Sequence, residues 1–140
     1  MILLDTNVVS EFVKTRPDPN VVSWMDAHAR RDFYLCAPVL AELRYGAALL
    51  PDGKRKESFL AAFEQFETEK FFGRILTFDR VAAYRYAALR AARCRDGRPL
   101  AVMDAVIAAI ASAHAMMLAT RNVRDFEGLG VPLVDPFSAG

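Results

Sequence analysis

The sequence predicts an α/β fold with a mostly parallel sheet, on three observations. The chain opens with four apolar residues, Met1-Ile2-Leu3-Leu4, that run straight into Asp5-Thr6-Asn7. A continuous apolar run bounded by polar turn formers is the pattern of a strand buried on both faces. Similar short runs recur at residues 33–37, 75–78, 117–120 and 129–134. The intervals between them carry apolar residues at helical spacing, and strands alternating with helices build parallel sheets. The 140 residues are the size of one domain, read as 1–140. A chain of this length buries about 68% of its unfolded surface and needs no staple.

Each element has a local reason. Residues 7–13 place Val8, Val9, Phe12 and Val13 at helical spacing, and Asp5 or Thr6 is positioned to cap that helix. Pro17 and Pro19 interrupt it. Pro19 or Asn20 opens the next helix, because proline at the first helical position gives up no bond. Its apolar face is Val21, Val22, Trp24 and Met25. After the second strand, Pro38 starts a helix carrying Val39, Leu40, Leu43, Ala47 and Leu50, with Glu42 one turn in. Gly46 lies inside that helix, where close packing against a neighbour is expected. Pro51-Asp52-Gly53 turns the chain into a long amphipathic helix over 54–72, which Gly73 stops. Asp79 caps a helix over 80–95; Gly97 ends it and Pro99 opens the next. Residues 100–115 are alanine-rich and apolar all round apart from Asp104, Ser112 and His114, the mark of a buried helix. Residues 123–126 form one helical turn and 135–140 a tail.

Composition excludes several classes. Eighteen Lys and Arg against 17 Asp and Glu give a net charge of +1. Bulk charge therefore does not announce a nucleic-acid binder, and any such contact has to come from a local patch or from metal ions. The hydrophobic fraction of 54% is slightly high and points to a surface covered by a partner. No run reaches the ~18 apolar residues of a membrane span. The N-terminus lacks the basic flank and cleavage site of a signal peptide, so a cytoplasmic protein is expected. Cys36 and Cys94 match no CxxC or zinc spacing and are expected to be buried free thiols. His28 and His114 form no catalytic pair, and there is no glycine-rich phosphate loop, GxSxG or HExxH.

What remains is a set of polar residues interrupting apolar elements. Asp5 ends a buried strand, Glu42 lies in the first turns of a helix after a strand, Asp104 lies near the start of the most apolar helix, and Asn122 follows the fourth strand. In a parallel sheet these places gather along one edge. Each residue also has a plainer reading. Asp5 would cap a helix, Glu42 would sit at a surface, Asp104 would face a helix dipole, and Asn122 would bond its own turn. Thr120 either contacts the site through its hydroxyl or simply ends a strand. Carboxylates gathered in one cleft repel: a like-charge pair at 4 Å costs about 4 kcal/mol at an effective dielectric of 20. Such a set holds protons or binds a divalent cation. All-oxygen donors suit Mg²⁺ or Mn²⁺, and Mg²⁺ is commonly completed by phosphate oxygens, which points to phosphoryl chemistry.

Four blocks in order, MxxLDTN at the start, AELRYG around Glu42, MDAVIAA around Asp104 and LATRNVRDF around Asn122, together resemble a PIN-domain ribonuclease. More narrowly, the chain resembles VapC-type toxins, including the FitB-like branch. MxxLDTN alone is moderately specific; the ordered set is highly specific and spans essentially the whole chain. The resemblance implies a PIN-like α/β/α sandwich with a central mostly parallel sheet and an acidic pocket. Its motif acids fall on Asp5, Glu42 and Asp104. The fourth position, often aspartate, falls on Asn122, a departure that removes one charge and that Asp125, one turn on, would compensate. The activity implied is that of a Mg²⁺- or Mn²⁺-dependent endoribonuclease. Asp5 and Asp104 would be the main metal ligands, Glu42 would complete the site or orient the attacking water, and Asn122 would hold a water or a metal-bound ligand. A homodimer is implied, inhibited by a small VapB-type antitoxin that carries the DNA-binding domain, so DNA is contacted only indirectly. Arg93, Arg95 and Arg98 form a candidate RNA-phosphate patch, against the plainer reading of a solvated face. Two other classes compete: a catalytically weak PIN-like module that only docks a partner protein, favoured by Asn122, and a metal-dependent phosphatase acting on small molecules.

Overall fold

The computed structural model describes residues 1–138. Five strands form one sheet: β1 (Ile2–Leu4), β2 (Phe33–Cys36), β3 (Ile75–Leu76), β4 (Met117–Ala119) and β5 (Leu133–Val134). Seven helices accompany them among the described residues: α1 (Thr6–Glu11), α2 (Pro19–Asp26), α3 (Ala37–Ala48), α4 (Lys54–Gln65), α5 (Arg80–Arg95), α6 (Val102–Ala113) and α7 (Val123–Phe126). The strand order is β3-β2-β1-β4-β5 and every pairing is parallel, as the alternation of strand and helix patterns requires. β1 is central because all three of its residues are apolar and buried. From β1 the chain winds outward to β2 and β3, then returns through α5 and α6 to lay β4 along the other side of β1. The direction of winding thus reverses between β1 and β4. In open α/β sheets a crevice opens at such a reversal, outside the carboxyl ends of the strands.

The packing explains where elements depart from their sequence patterns. The outer strands are cut to two residues each, Ile75–Leu76 and Leu133–Val134, because each pairs on one side only. The long amphipathic pattern over 54–72 is not one α-helix. α4 ends at Gln65 and the chain continues through a π-helical turn, Phe66–Lys70. Residues five apart diverge by about 140° on an α-helix but return to one side in a π turn. Phe71 N–H donates to the Phe66 carbonyl at 2.9 Å, and both rings enter the core 5.8 Å apart. α6 is buried as its composition requires, with Ala105 and residues 107–111 inside. Asp79 caps α5 by accepting from Ala82 N–H at 2.9 Å.

Two further expectations fail. Gly46 is exposed and a side chain there would meet nothing, so close packing is not its reason for being glycine. Cys36 is buried, but Cys94 is exposed, because α5 buries only Ala82 and Arg93 fully and turns the thiol outward. Among the described residues no helix is long and apolar enough to cross a membrane.

Candidate functional site

At the sheet reversal the carboxyl ends of β1 and β4 lie side by side. Their register, Leu4 opposite Ala119, puts the next residues, Asp5 and Thr120, side by side. The ladder runs one step past β1, with Asp5 N–H donating to the Ala119 carbonyl at 2.9 Å. Asp5 is both helix cap and site residue. Its Oδ1 accepts from Thr6 N–H at 2.8 Å, closing the start of α1, and its Oδ2 accepts the Thr120 hydroxyl at 2.7 Å. Asn7 Nδ2 lies a further 3.4 Å from Oδ2. Thr120 is fully buried, and its oxygen accepts Asn122 N–H at 3.0 Å.

Thr6 and Asn7 extend this framework. The Thr6 hydroxyl donates to Glu42 Oε1 at 2.7 Å, tying α1 to α3, and Asn7 Oδ1 accepts Arg121 N–H at 3.1 Å. Glu42 faces the crevice because α3 begins immediately after β2, at the same carboxyl edge as Asp5. Asp104 lies in the first turn of α6.

Electrostatics shows which acids influence one another. Burial, then the charges of Asp5, Asp125 and Glu42, push Asp104 up to about 6. Asp5 is raised as well; burial dominates, the bonds from Thr120 and Thr6 oppose it, and Glu42 adds to the rise. The same two carboxylates, behind burial, hold the Cys36 thiol up at about 12, so it stays an inert core residue. The ion pairs among the described residues are Lys14–Glu11, Arg44–Glu67 and Lys56–Asp52, and none reaches this acidic group.

Asp5, Glu42 and Asp104 are thus brought into one electrostatic neighbourhood. The Asn122 side chain is exposed and makes no cap hydrogen bond to α7. Its backbone does the work of a turn, donating to Thr120 and accepting Asp125 N–H at 3.0 Å. Asp125, on α7, is the additional acid whose charge reaches Asp104. Among the described residues no three His, Cys, Asp or Glu side chains are gathered tightly enough to hold one ion. The donor set nonetheless suits a hard cation. It is all oxygen, carries negative charge without a paired base, and Mg²⁺ typically takes only one or two protein carboxylates and keeps its waters.

The arginine patch is also revised. Arg93 is buried, its Nε donating to the Arg98 carbonyl at 3.0 Å and one terminal nitrogen to the Asp125 and Glu127 carbonyls at 3.0 and 3.2 Å. It fastens α7 to the end of α5, while Arg95 and Arg98 stay exposed. The residues that sequence reasoning undervalued are Thr6, Asn7 and Thr120. Their signal is position: small polar residues directly after a buried strand, at the edge where the winding reverses.

A family model described as PIN domain matches residues 2–130. "VapC ribonuclease Y4jK" of Sinorhizobium fredii is 42% identical over 137 residues, covering 98% of both chains. "Toxin FitB" of Neisseria gonorrhoeae is also 42% identical over 137 residues, covering 98% of this chain and 99% of that one. A solved structure of FitAB bound to the IR36 DNA fragment superposes with a TM-score of 0.93 at 41% identity, over 100% of this chain and 98% of the other.

Proposed function

The chain belongs to the PIN-domain family, and on that premise we propose that it is a Mg²⁺- or Mn²⁺-dependent endoribonuclease, the toxin of a type II toxin–antitoxin pair. The observation that carries this is that the charges of Asp5, Asp125 and Glu42 all bear on Asp104, with no basic side chain among the described residues paired to any of them. Relatives bearing the names ribonuclease and toxin over nearly the full chain support it. When bound, the ion supplies charge stabilisation at phosphate and a water acidified toward neutral pH. Asp5 and Asp104 would hold it. Thr120 and Thr6 fix the Asp5 carboxylate from two sides, which keeps it oriented without a base to neutralise it. Thr6 engages Glu42 through Oε1, leaving Oε2 as the atom to orient or deprotonate a water. Asn122 would hold a water or a metal-bound ligand, and Asp125, whose charge bears on Asp104, would serve as a further acid.

The partner of this reading is a small VapB-type antitoxin, through which the complex contacts DNA. A cavity of about 280 Å³ beside α1, α2 and the π turn, with Phe12, Val21, Phe33 and Phe66 in its lining and Glu11, Asp26, Arg30 and Lys70 also lining it, would seat an amphipathic partner segment. Exposed Tyr45 on α3 and Leu49 just past its end, with Val81 and Tyr84 on α5, would offer apolar surface for a homodimer. The assembly is placed in the cytoplasm. The purified protein is expected to cleave RNA in Mg²⁺ or Mn²⁺, to stop in excess chelator, and to recover when metal is restored. Undiminished cleavage in chelator would contradict the reading.

One observation favours a second reading, a module that only docks a partner: no three acids among the described residues are gathered around one point. Growth inhibition retained by Asp5→Asn would support docking over catalysis.

A further inference from the structure

We propose that Arg121, seated on the ring of Phe137, is the side chain that takes a phosphate of the RNA strand at the mouth of the acidic crevice. This rests on the ribonuclease reading above and adds the contact that the strand needs. RNA approaching a group of carboxylates meets like charge. A divalent ion offsets that charge at the cluster itself, but the flanking phosphates need a cation beside it.

Arg121 stands where such a cation belongs. It directly follows Thr120, whose hydroxyl is 2.7 Å from Asp5 Oδ2, and its own N–H is held by Asn7 at 3.1 Å. Its backbone is therefore fixed at the crevice edge. The guanidinium carbon lies 4.1 Å from the Phe137 ring centroid, whereas the other cation–ring pairs among the described residues lie at 5.4 Å or more. That ring is itself anchored. Phe137 N–H donates to Asp135 Oδ1 at 2.9 Å, and the Phe137 carbonyl accepts Asn20 Nδ2 on α2 at 2.9 Å. Residues 135–138 thus form a strap that holds an aromatic platform under the arginine.

Stacking orders a guanidinium while leaving its N–H edge available for the bidentate geometry that suits phosphate. The charge is also held off the acids. No carboxylate among the described residues pairs with Arg121, and every influence on Asp104 raises it, none being a neighbouring cation. Arg121 therefore does not take the place of a metal ion. Arg44 and Arg93 are engaged elsewhere: Arg44 forks onto Glu67 at 3.1 and 2.6 Å, and Arg93 binds backbone carbonyls.

The test is steady-state cleavage of a single-stranded RNA oligonucleotide in Mg²⁺ across a salt series. Arg121→Gln is expected to raise KM about tenfold with kcat within twofold. The slope of log kcat/KM against log salt should become shallower by about 0.7, the value of one single-strand phosphate contact. Arg121→Lys should restore the slope but only part of KM. Phe137→Leu should raise KM about threefold with the slope intact, because the charge remains. Mn²⁺ affinity and Tm of Arg121→Gln should match wild type. If wild type cleaves RNA but Arg121→Gln leaves KM and slope unchanged, the contact is overturned and the ribonuclease reading stands. Loss of antitoxin binding alone would reassign Arg121 to the partner. If wild type cleaves no RNA, both fall.

Discussion

Replacing Asp104 with asparagine is expected to lower RNA cleavage about a thousandfold and, in the metal-free protein at pH 7.5, to raise thermal stability. The two effects have one cause. Asp104 is held at about 6 in the folded chain, against 3.8 for the free group, by burial and by the charges of Asp5, Asp125 and Glu42. Between those two values the folded protein keeps a proton that the unfolded chain has lost. Stability therefore falls as pH rises through that window and stays lower above it. Asparagine removes the penalty. Asp104 is partly exposed, so solvent screening reduces the gain to about 1 kcal/mol, or roughly 3 °C in Tm. Near pH 3.5 the difference should vanish. On the proposed ribonuclease reading, the activity loss follows from withdrawing a carboxylate that would hold the metal, an effect of several kcal/mol, with about 1.4 kcal/mol for each factor of ten. An Asp104→Asn protein that is less stable at neutral pH, or that cleaves RNA normally, would show that the carboxylate is a structural member of α6 and not a strained one. Chelated circular dichroism melts at pH 3.5 and 7.5 measure the stability effect.

Arg93→Met is expected to lower Tm by about 10 °C. The side chain is buried and joins α5 to three backbone carbonyls, those of Arg98, Asp125 and Glu127. Methionine fills much of the space but donates nothing, leaving carbonyls short of partners. Hydrogen bonds from a charged donor contribute about 1.5–3 kcal/mol each, and losses within one network are not additive, so a total of about 3 kcal/mol is reasonable. At this chain length that corresponds to the stated shift. Arg93→Lys should fall between, since an ammonium keeps the charge without the planar fork. A melt unchanged in Arg93→Met would mean that α7 is held by Phe126 and its neighbours alone.

The parts of the fold readable in sequence are those where one local signal dominates. The apolar run before Asp5, the Asp79 cap and the alanine-rich stretch around Asp104 each admit a single efficient structure, and each appears as expected. The π turn after Gln65 could not be read, because Phe66 and Phe71 look like ordinary amphipathic positions until the core decides their spacing. Arg93 misled for a related reason: a charged residue near a helix end reads as solvated, and only tertiary structure supplies the carbonyls that bury it. Within the proposed site, Asp5, Glu42 and Asp104 stand out in the sequence because each interrupts an apolar element, Asp5 at a strand end and the other two inside helices. Asp125 was harder, since only the folded position of the four-residue α7 brings its charge to bear on Asp104.

The central claim is that these separated carboxylates form one negatively charged site made tolerable by a hard divalent ion. Calorimetric titration of the RNA-free protein with Mn²⁺ at pH 6, in two buffers of different ionisation enthalpy, tests it most directly. Wild type should bind Mn²⁺ and release protons, because Asp104 is near half-protonated at that pH; Asp5→Asn should bind at least tenfold more weakly. A wild-type protein that cleaves RNA yet takes up no Mn²⁺, or binds it equally well without Asp5, would contradict the account.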